Sequence, residues 1–129
     1  MKVTPATKET ILVADDEESI RDLLRQHLEN DGYRVLMAAD GPQAILLSRD
    51  FQGPIHLLLT DVMMPGIDGS ILASRLTDSR PDLKVLYVSG YTPSSTVHHS
   101  VTATGTAFLP KPFSQDTLLR TIRLILDAP

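Results

Sequence analysis

Ile11-Leu12-Val13-Ala14 runs straight into four acids, Asp15-Asp16-Glu17-Glu18, and then into Ile20, Leu23, Leu24 and Leu28 at helical spacing, with Gly32 beyond them. An unbroken apolar run reads as a strand buried on both faces, and a three-to-four-residue recurrence reads as an amphipathic helix. Acids suit the positive end of a helix dipole, and a glycine stops the helix. The same strand-then-helix unit repeats outward from this stretch. The strand candidates are Thr10–Ala14, Arg34–Ala38, Ile55–Thr60, Leu83–Val88 and Ala107–Leu109; the first, third and fourth are apolar enough to be central, and the second and fifth read as flanking. Pro42 suits the first turn of a second helix, a third helix starts near Asp68 with Leu72 and Leu76 inward, and Ser114 caps a last helix bearing Leu118, Ile122 and Ile125 on one face. The stretch from Pro93 to Gly105 is rich in Ser and Thr, with only Val97 and Val101 at helical spacing. Its propensity predicts a short, mobile fourth helix. Five alternations of this kind define an α/β fold, a parallel sheet covered by helices on both faces.

At 129 residues the chain matches one domain, with residues 10–127 as the folded unit and 1–9 as an N-terminal tail. Hydrophobic residues at 42% and charged residues at 22% are ordinary for globular proteins, so neither disorder nor an unusual scaffold is indicated. A formal net charge of -4 argues against a nucleic-acid footprint, which needs a clustered basic face. The absence of cysteine excludes disulfides and thiolate metal sites and suits a reducing cytosol. The apolar runs are too short to span a bilayer and the polar start from Met1 to Thr10 resembles no signal peptide, so a cytoplasmic protein is expected, without membrane insertion.

The chemistry collects at strand ends. Asp15 and Asp16 follow the first strand, Asp61 the third, Ser89 the fourth and Lys111 the fifth. In open α/β sheets ligands bind outside the carboxyl ends of the strands, and the order 2-1-3-4-5 places strands one and three side by side. Three carboxylates brought together repel one another and call for a divalent cation; an all-oxygen set selects Mg²⁺ or Mn²⁺ over Zn²⁺. The Lys111 ammonium suits both neutralisation of these acids and capture of a phosphoryl oxygen, and Pro112 after it admits a cis bond. Ser89-Gly90 offers a hydroxyl donor beside a residue without a side chain. Each piece has a bland account alone: Asp15-Asp16 as a helix cap, Asp61 and Lys111-Pro112 as turn residues. Their shared position decides for a pocket.

These residues resemble the response-regulator receiver domain: Ile-Leu-Val-Ala-Asp-Asp-Glu-Glu at 11–18, Leu-Leu-Thr-Asp-Val-Met-Met-Pro at 58–65, Val-Ser-Gly-Tyr at 88–91 and Phe-Leu-Pro-Lys-Pro-Phe at 108–113. The resemblance implies a flavodoxin-like, doubly wound (βα)5 domain with sheet order 2-1-3-4-5. It implies that Asp61 is the phosphoacceptor, taking a phosphoryl group from a phosphohistidine, with Lys111 and Ser89 contacting that group. Asp16, Asp61 and the Met63 backbone carbonyl would ligate Mg²⁺, with Asp15 helping to hold it. Ser89 and Phe108 would act as the switch, altering the face made by the fourth helix, fifth strand and last helix. Met63 and Tyr91 occupy positions that influence how fast the acyl phosphate hydrolyses. The implied partner is a sensor histidine kinase or a histidine phosphotransfer protein, with a transient homodimer through the fourth and last helices as a further association. Val-Ser-Gly-Tyr-Thr and the Val-His-His stretch are similar to receivers at the carboxyl end of hybrid histidine kinases, in which this segment would be a cytoplasmic part of a membrane-bound chain; a free-standing single-domain regulator is equally compatible with the residues present.

Three rivals share parts of this pattern. A haloacid-dehalogenase-type phosphatase needs a carboxylate two residues past its nucleophile, where this chain has Met63. An FMN carrier of the same fold needs a hydroxyl- and glycine-rich phosphate loop after the first strand, where four acids would repel phosphate. A receiver-like docking module that takes no phosphate is disfavoured by the intact acid set. His98 and His99 read as solvated residues, and His27 and His56 as scaffold.

Overall fold

In a computed structural model of the chain, residues 9–89 and 107–128 are described. The elements are β1 (Thr10–Ala14), α1 (Glu18–Asn30), β2 (Arg34–Ala38), α2 (Gly41–Asp50), β3 (Leu57–Asp61), α3 (Gly69–Ser79), β4 (Lys84–Ser89), β5 (Ala107–Pro110) and a C-terminal helix (Gln115–Asp127). The expected fourth helix at 93–105 lies outside the described residues. The five strands form one sheet in the order β2-β1-β3-β4-β5, and every neighbouring pair is parallel. The apolar strands β1, β3 and β4 are interior, and β2 and β5 are at the edges, as the hydrophobic pattern anticipates.

Strand periodicity of two sorts the core into two layers. Ile11, Val13, Leu57, Leu59, Leu86 and Val88 face α1 and the C-terminal helix, meeting Leu24, Leu28, Leu118 and Ile122. Leu12, Ala14, Leu58, Val85 and Tyr87 face α2 and α3, meeting Ala44, Leu72, Ala73 and Leu76. The helix starts follow local chemistry. Asp40 accepts from the Gln43 N–H with Pro42 in the first turn, Asp68 accepts from the Ile71 N–H, and Ser114 accepts from the Thr117 N–H.

β3 begins two residues after the expected Ile55. Pro54 has no N–H to give, and Thr10 donates its N–H to His56 Nδ1 at 3.0 Å, so an imidazole replaces a backbone carbonyl where the ladder would otherwise start. β4 likewise begins at Lys84, because the Leu83 N–H closes a turn onto the Arg80 carbonyl at 3.0 Å.

Basic side chains fasten the end of the sheet where the strands begin. Arg80 donates to Ser48 Oγ, Ser48 O and Gly53 O at 2.8 Å and to Phe51 O at 3.0 Å, closing the end of α2. Lys84 Nζ donates to Ile125 O and Ala128 O at the end of the C-terminal helix. Arg123 on that helix binds Glu9 Oε2 and Asp127 Oδ1 at 2.8 Å and reaches the Tyr33 hydroxyl at 3.2 Å. Its hydrogen bonds hold the Glu9 carboxyl below its ordinary pKa against the opposing effect of burial, and hold Asp127 down in the same way.

Both carboxyls therefore bind protons less readily folded than unfolded. The stability they contribute is full above the ordinary carboxylate range, about 4, and is lost as pH falls through the lower folded values. Arg123→Ala is expected to unfold at less urea than wild type at neutral pH, with the gap closing as pH drops below about 4. A gap that stays constant with pH would assign the effect to packing of the arginine stem.

Candidate functional site

Asp15 leaves the end of β1 fully buried, its N–H bonded to Ala38 O at 3.2 Å on the neighbouring strand. Its carboxylate is fixed on both sides: Oδ1 accepts the Glu17 N–H at 2.9 Å and Oδ2 accepts Lys111 Nζ at 3.0 Å. Asp61 is the last residue of β3 and is 8% exposed. Its Oδ1 accepts the Met63 N–H at 3.1 Å and its Oδ2 accepts Lys111 Nζ at 3.2 Å. Asp16 is exposed, yet a carboxylate oxygen from each of Asp15, Asp16 and Asp61 lies within 4.8 Å of the others.

Lys111 reaches this cluster because β5 delivers it. The Lys111 N–H donates to Ser89 O at 2.7 Å, and Ser89 at the end of β4 lies in register with Pro110. The Lys111-Pro112 peptide is cis. Ser89 is buried at the same end of the sheet. The expected convergence of Asp15, Asp16, Asp61, Ser89 and Lys111 on the carboxyl ends of the strands is thus what the topology produces.

Burial pushes the Asp61 carboxyl above its ordinary pKa; attraction and hydrogen bonding from Lys111 and the Met63 N–H oppose this, and Asp15 adds to it. At Lys111 burial works against the charge, but hydrogen bonds and attraction to Asp15 and Asp61 together outweigh it and raise the pKa. Three carboxylates facing one ammonium leave an excess of negative charge on oxygen donors alone, with one acid open to solvent. That donor set fits a hard divalent cation such as Mg²⁺ or Mn²⁺.

Met63 is 64% exposed, and Phe108 is partly buried against the α2–α3 layer that contains Tyr87 and Met64. Tyr91, His98 and His99 lie outside the described residues. His56 serves the sheet, as expected of a scaffold residue.

Two residues escaped the sequence reading. A Cβ at Gly69 would stand 2.2 Å from the Asp61 carbonyl oxygen and 3.1 Å from Val62 Cα, and the Gly69 N–H donates to Val62 O at 2.9 Å. A glycine in a first helical turn, where it costs propensity, is the signal that marks such an approach. Arg21 on α1 donates from Nη1 to Asp15 O at 2.8 Å, a contact with no local signature.

A parallel, doubly wound sheet with three carboxylates and a lysine at its strand ends is a flavodoxin-like α/β domain with an acidic pocket. Residues 11–123 match the family model described as the response regulator receiver domain, and the chain belongs to that family: it is a receiver domain of two-component systems. It is 33% identical to sensor kinase CckA of Brucella abortus over 92% of this chain and 12% of that protein. To response regulator receiver protein CpdR of the same species it is 36% identical over 92% of this chain and 97% of that protein. Among solved structures it is similar to the receiver domain of hybrid histidine kinase CckA, with 36% identity, TM-score 0.78, and 92% and 99% of the two chains covered. It is also similar to response regulator protein TrrA from Thermotoga maritima in complex with Mg(2+)-BeF, with 28% identity, TM-score 0.78, and 92% and 99% covered. The match thus spans a small part of a kinase and nearly all of a receiver-only protein. No helix among the described residues is long and apolar enough to cross a membrane.

Gly69→Ala is expected to cost about 1–3 kcal/mol of stability, the range for overpacking against a rigid neighbour, read from urea unfolding; an unchanged midpoint would mean that α3 shifts away freely. Because folding raises the Asp61 pKa, stability tied to its protonated form is present below the ordinary carboxylate range and lost as pH rises through the folded value. Without divalent cations, Asp61→Asn is therefore expected to be more stable than wild type at neutral pH and to converge with it in acid. Equal urea midpoints at neutral pH would contradict this.

Proposed function

We propose that Asp61 accepts a phosphoryl group from the phosphohistidine of a sensor histidine kinase or histidine phosphotransfer protein, in a Mg²⁺-dependent reaction. The observation that carries this reading is the doubly anchored Asp61 carboxylate, its two oxygens held by the Met63 N–H and Lys111 Nζ beside two further acids. A carboxylate oxygen of Asp61 attacks phosphorus in line, the phosphorus–nitrogen bond breaks, and its electron pair returns to the donor imidazole. Lys111 turns from Asp61 to the phosphoryl oxygens and balances charge that grows on them. The Ser89 hydroxyl donates to the same group. Asp15, Asp16, Asp61 and the Met63 carbonyl would hold Mg²⁺, for which Mn²⁺ can substitute; when bound it offsets the carboxylates and the phosphoryl charge.

Ser89 and Phe108 then carry the signal. A Ser89 hydroxyl drawn to the phosphoryl group frees space that Phe108 enters from its half-buried position, biasing the face that carries β5 and the C-terminal helix between two packings. A partner or a second copy that reads this face senses phosphorylation. Residues 10–127 form the receiver unit, placed in the cytoplasm either as a free-standing regulator, as the likeness to CpdR suggests, or within a hybrid kinase, as the likeness to CckA suggests.

Intact mass after incubation with acetyl phosphate tests donor chemistry, metal and site together. Wild type with Mg²⁺ is expected to gain ~80 Da, one phosphoryl group in place of a proton, and to gain nothing with EDTA or in Asp61→Asn. Wild type that stays unmodified at short times with Mg²⁺ present would turn the reading toward a docking module.

A further inference from the structure

Arg21 is out of place by local rules. It is the fourth residue of α1, close to the positive end of the helix dipole, where a cation is disfavoured. Neither does a carboxylate explain it, since its described hydrogen bond goes from Nη1 to the Asp15 backbone carbonyl at 2.8 Å. That carbonyl belongs to the peptide unit joining Asp15 to Asp16. The Asp15 side chain needs no such help, since Glu17 N–H and Lys111 Nζ already hold its two oxygens. Asp16 differs: it is exposed, and among the described residues no hydrogen bond or ion pair ties its carboxylate, although an oxygen of it lies with those of Asp15 and Asp61 inside 4.8 Å.

We propose that Arg21 is a positioning residue for the divalent cation: by clamping the Asp15–Asp16 peptide plane it aims the one carboxylate of the pocket that has no tether of its own. The proposal rests on the reading that this pocket binds Mg²⁺. Charge and positioning make opposite demands here. A guanidinium near the acids repels an incoming cation, so by charge alone its removal tightens binding. By positioning, its removal loosens Asp16 and weakens binding. Groups that orient metal ligands typically change affinity by about 10–100-fold, whereas a screened charge near the surface accounts for less than about fivefold. Positioning wins.

The test is calorimetric titration of the full chain with Mn²⁺, and Mg²⁺ titration followed by melting temperature, on wild type, Arg21→Met and Arg21→Lys, with urea midpoints in EDTA as the control for folding. Methionine keeps an unbranched apolar stem and removes the donor; lysine keeps a donor of similar reach. Arg21→Met is expected to bind Mn²⁺ about tenfold more weakly, beyond any change its EDTA urea midpoint explains, and Arg21→Lys to recover most of the loss. Affinity that is unchanged or tighter in Arg21→Met, or that is no better in Arg21→Lys, overturns the proposal while leaving the metal site intact. A wild type that takes up neither cation overturns the metal reading itself, and the proposal with it.

Discussion

A single ammonium stands between two buried carboxylates, and the pocket depends on it. Lys111 Nζ lies 3.0 Å from Asp15 Oδ2 and 3.2 Å from Asp61 Oδ2, with all three side chains no more than 11% exposed. Loss of solvation at that depth, with a smaller repulsion from Asp15, raises the Asp61 pKa and so disfavours its charged form. The lysine opposes that rise without removing it. Excess negative charge is left facing solvent through Asp16, and that residue is the open side by which a cation can approach.

The scaffold divides the site into a fixed half and an open half. Asp15 follows β1 and Asp61 ends β3, adjacent interior strands whose own residues are all buried, and Asp61 is further wedged by Gly69, whose missing side chain lets α3 touch its backbone. Asp16 and Met63 sit one and two residues further along, on loops exposed to solvent. Rigid strand ends fix the buried carboxylates, and short loops supply groups that can adjust to what arrives.

Charge is also sorted along the strand axis. The amino ends of α1 and α3 lie toward the acidic pocket, where their dipoles favour anions; the far end is fastened by Arg80 on the end of α2 and by Lys84 on the end of the C-terminal helix, where cations meet exposed carbonyls. Arg123 adds a cross-tie from that helix to Glu9 and Tyr33 beside β1 and β2. Firm fastening at the far end leaves the acidic end free to change without loosening the fold.

Pro42 in the first turn of α2, the helix start near Asp68, the Ser114 cap, the order of the described strands and helices, and the set of polar residues at strand ends were all legible in the sequence, since each is a local matter of period two, period 3.6 or turn chemistry. The two strand starts that differ do so for different reasons: the His56 imidazole just before β3 answers the distant Thr10 N–H, and a tight turn closed on the Arg80 carbonyl delays β4. The sequence by itself determined which residues meet at one end of the sheet. Only the tertiary structure decided how they divide the work: that Lys111 pairs with Asp15 and Asp61, that Asp16 stays open, that Gly69 must be bare, and that Arg21 turns back to the Asp15 carbonyl. Those outcomes turn on distances of 2 to 3 Å between groups up to 96 residues apart in the chain, which no local period encodes and which only packing of the whole sheet sets.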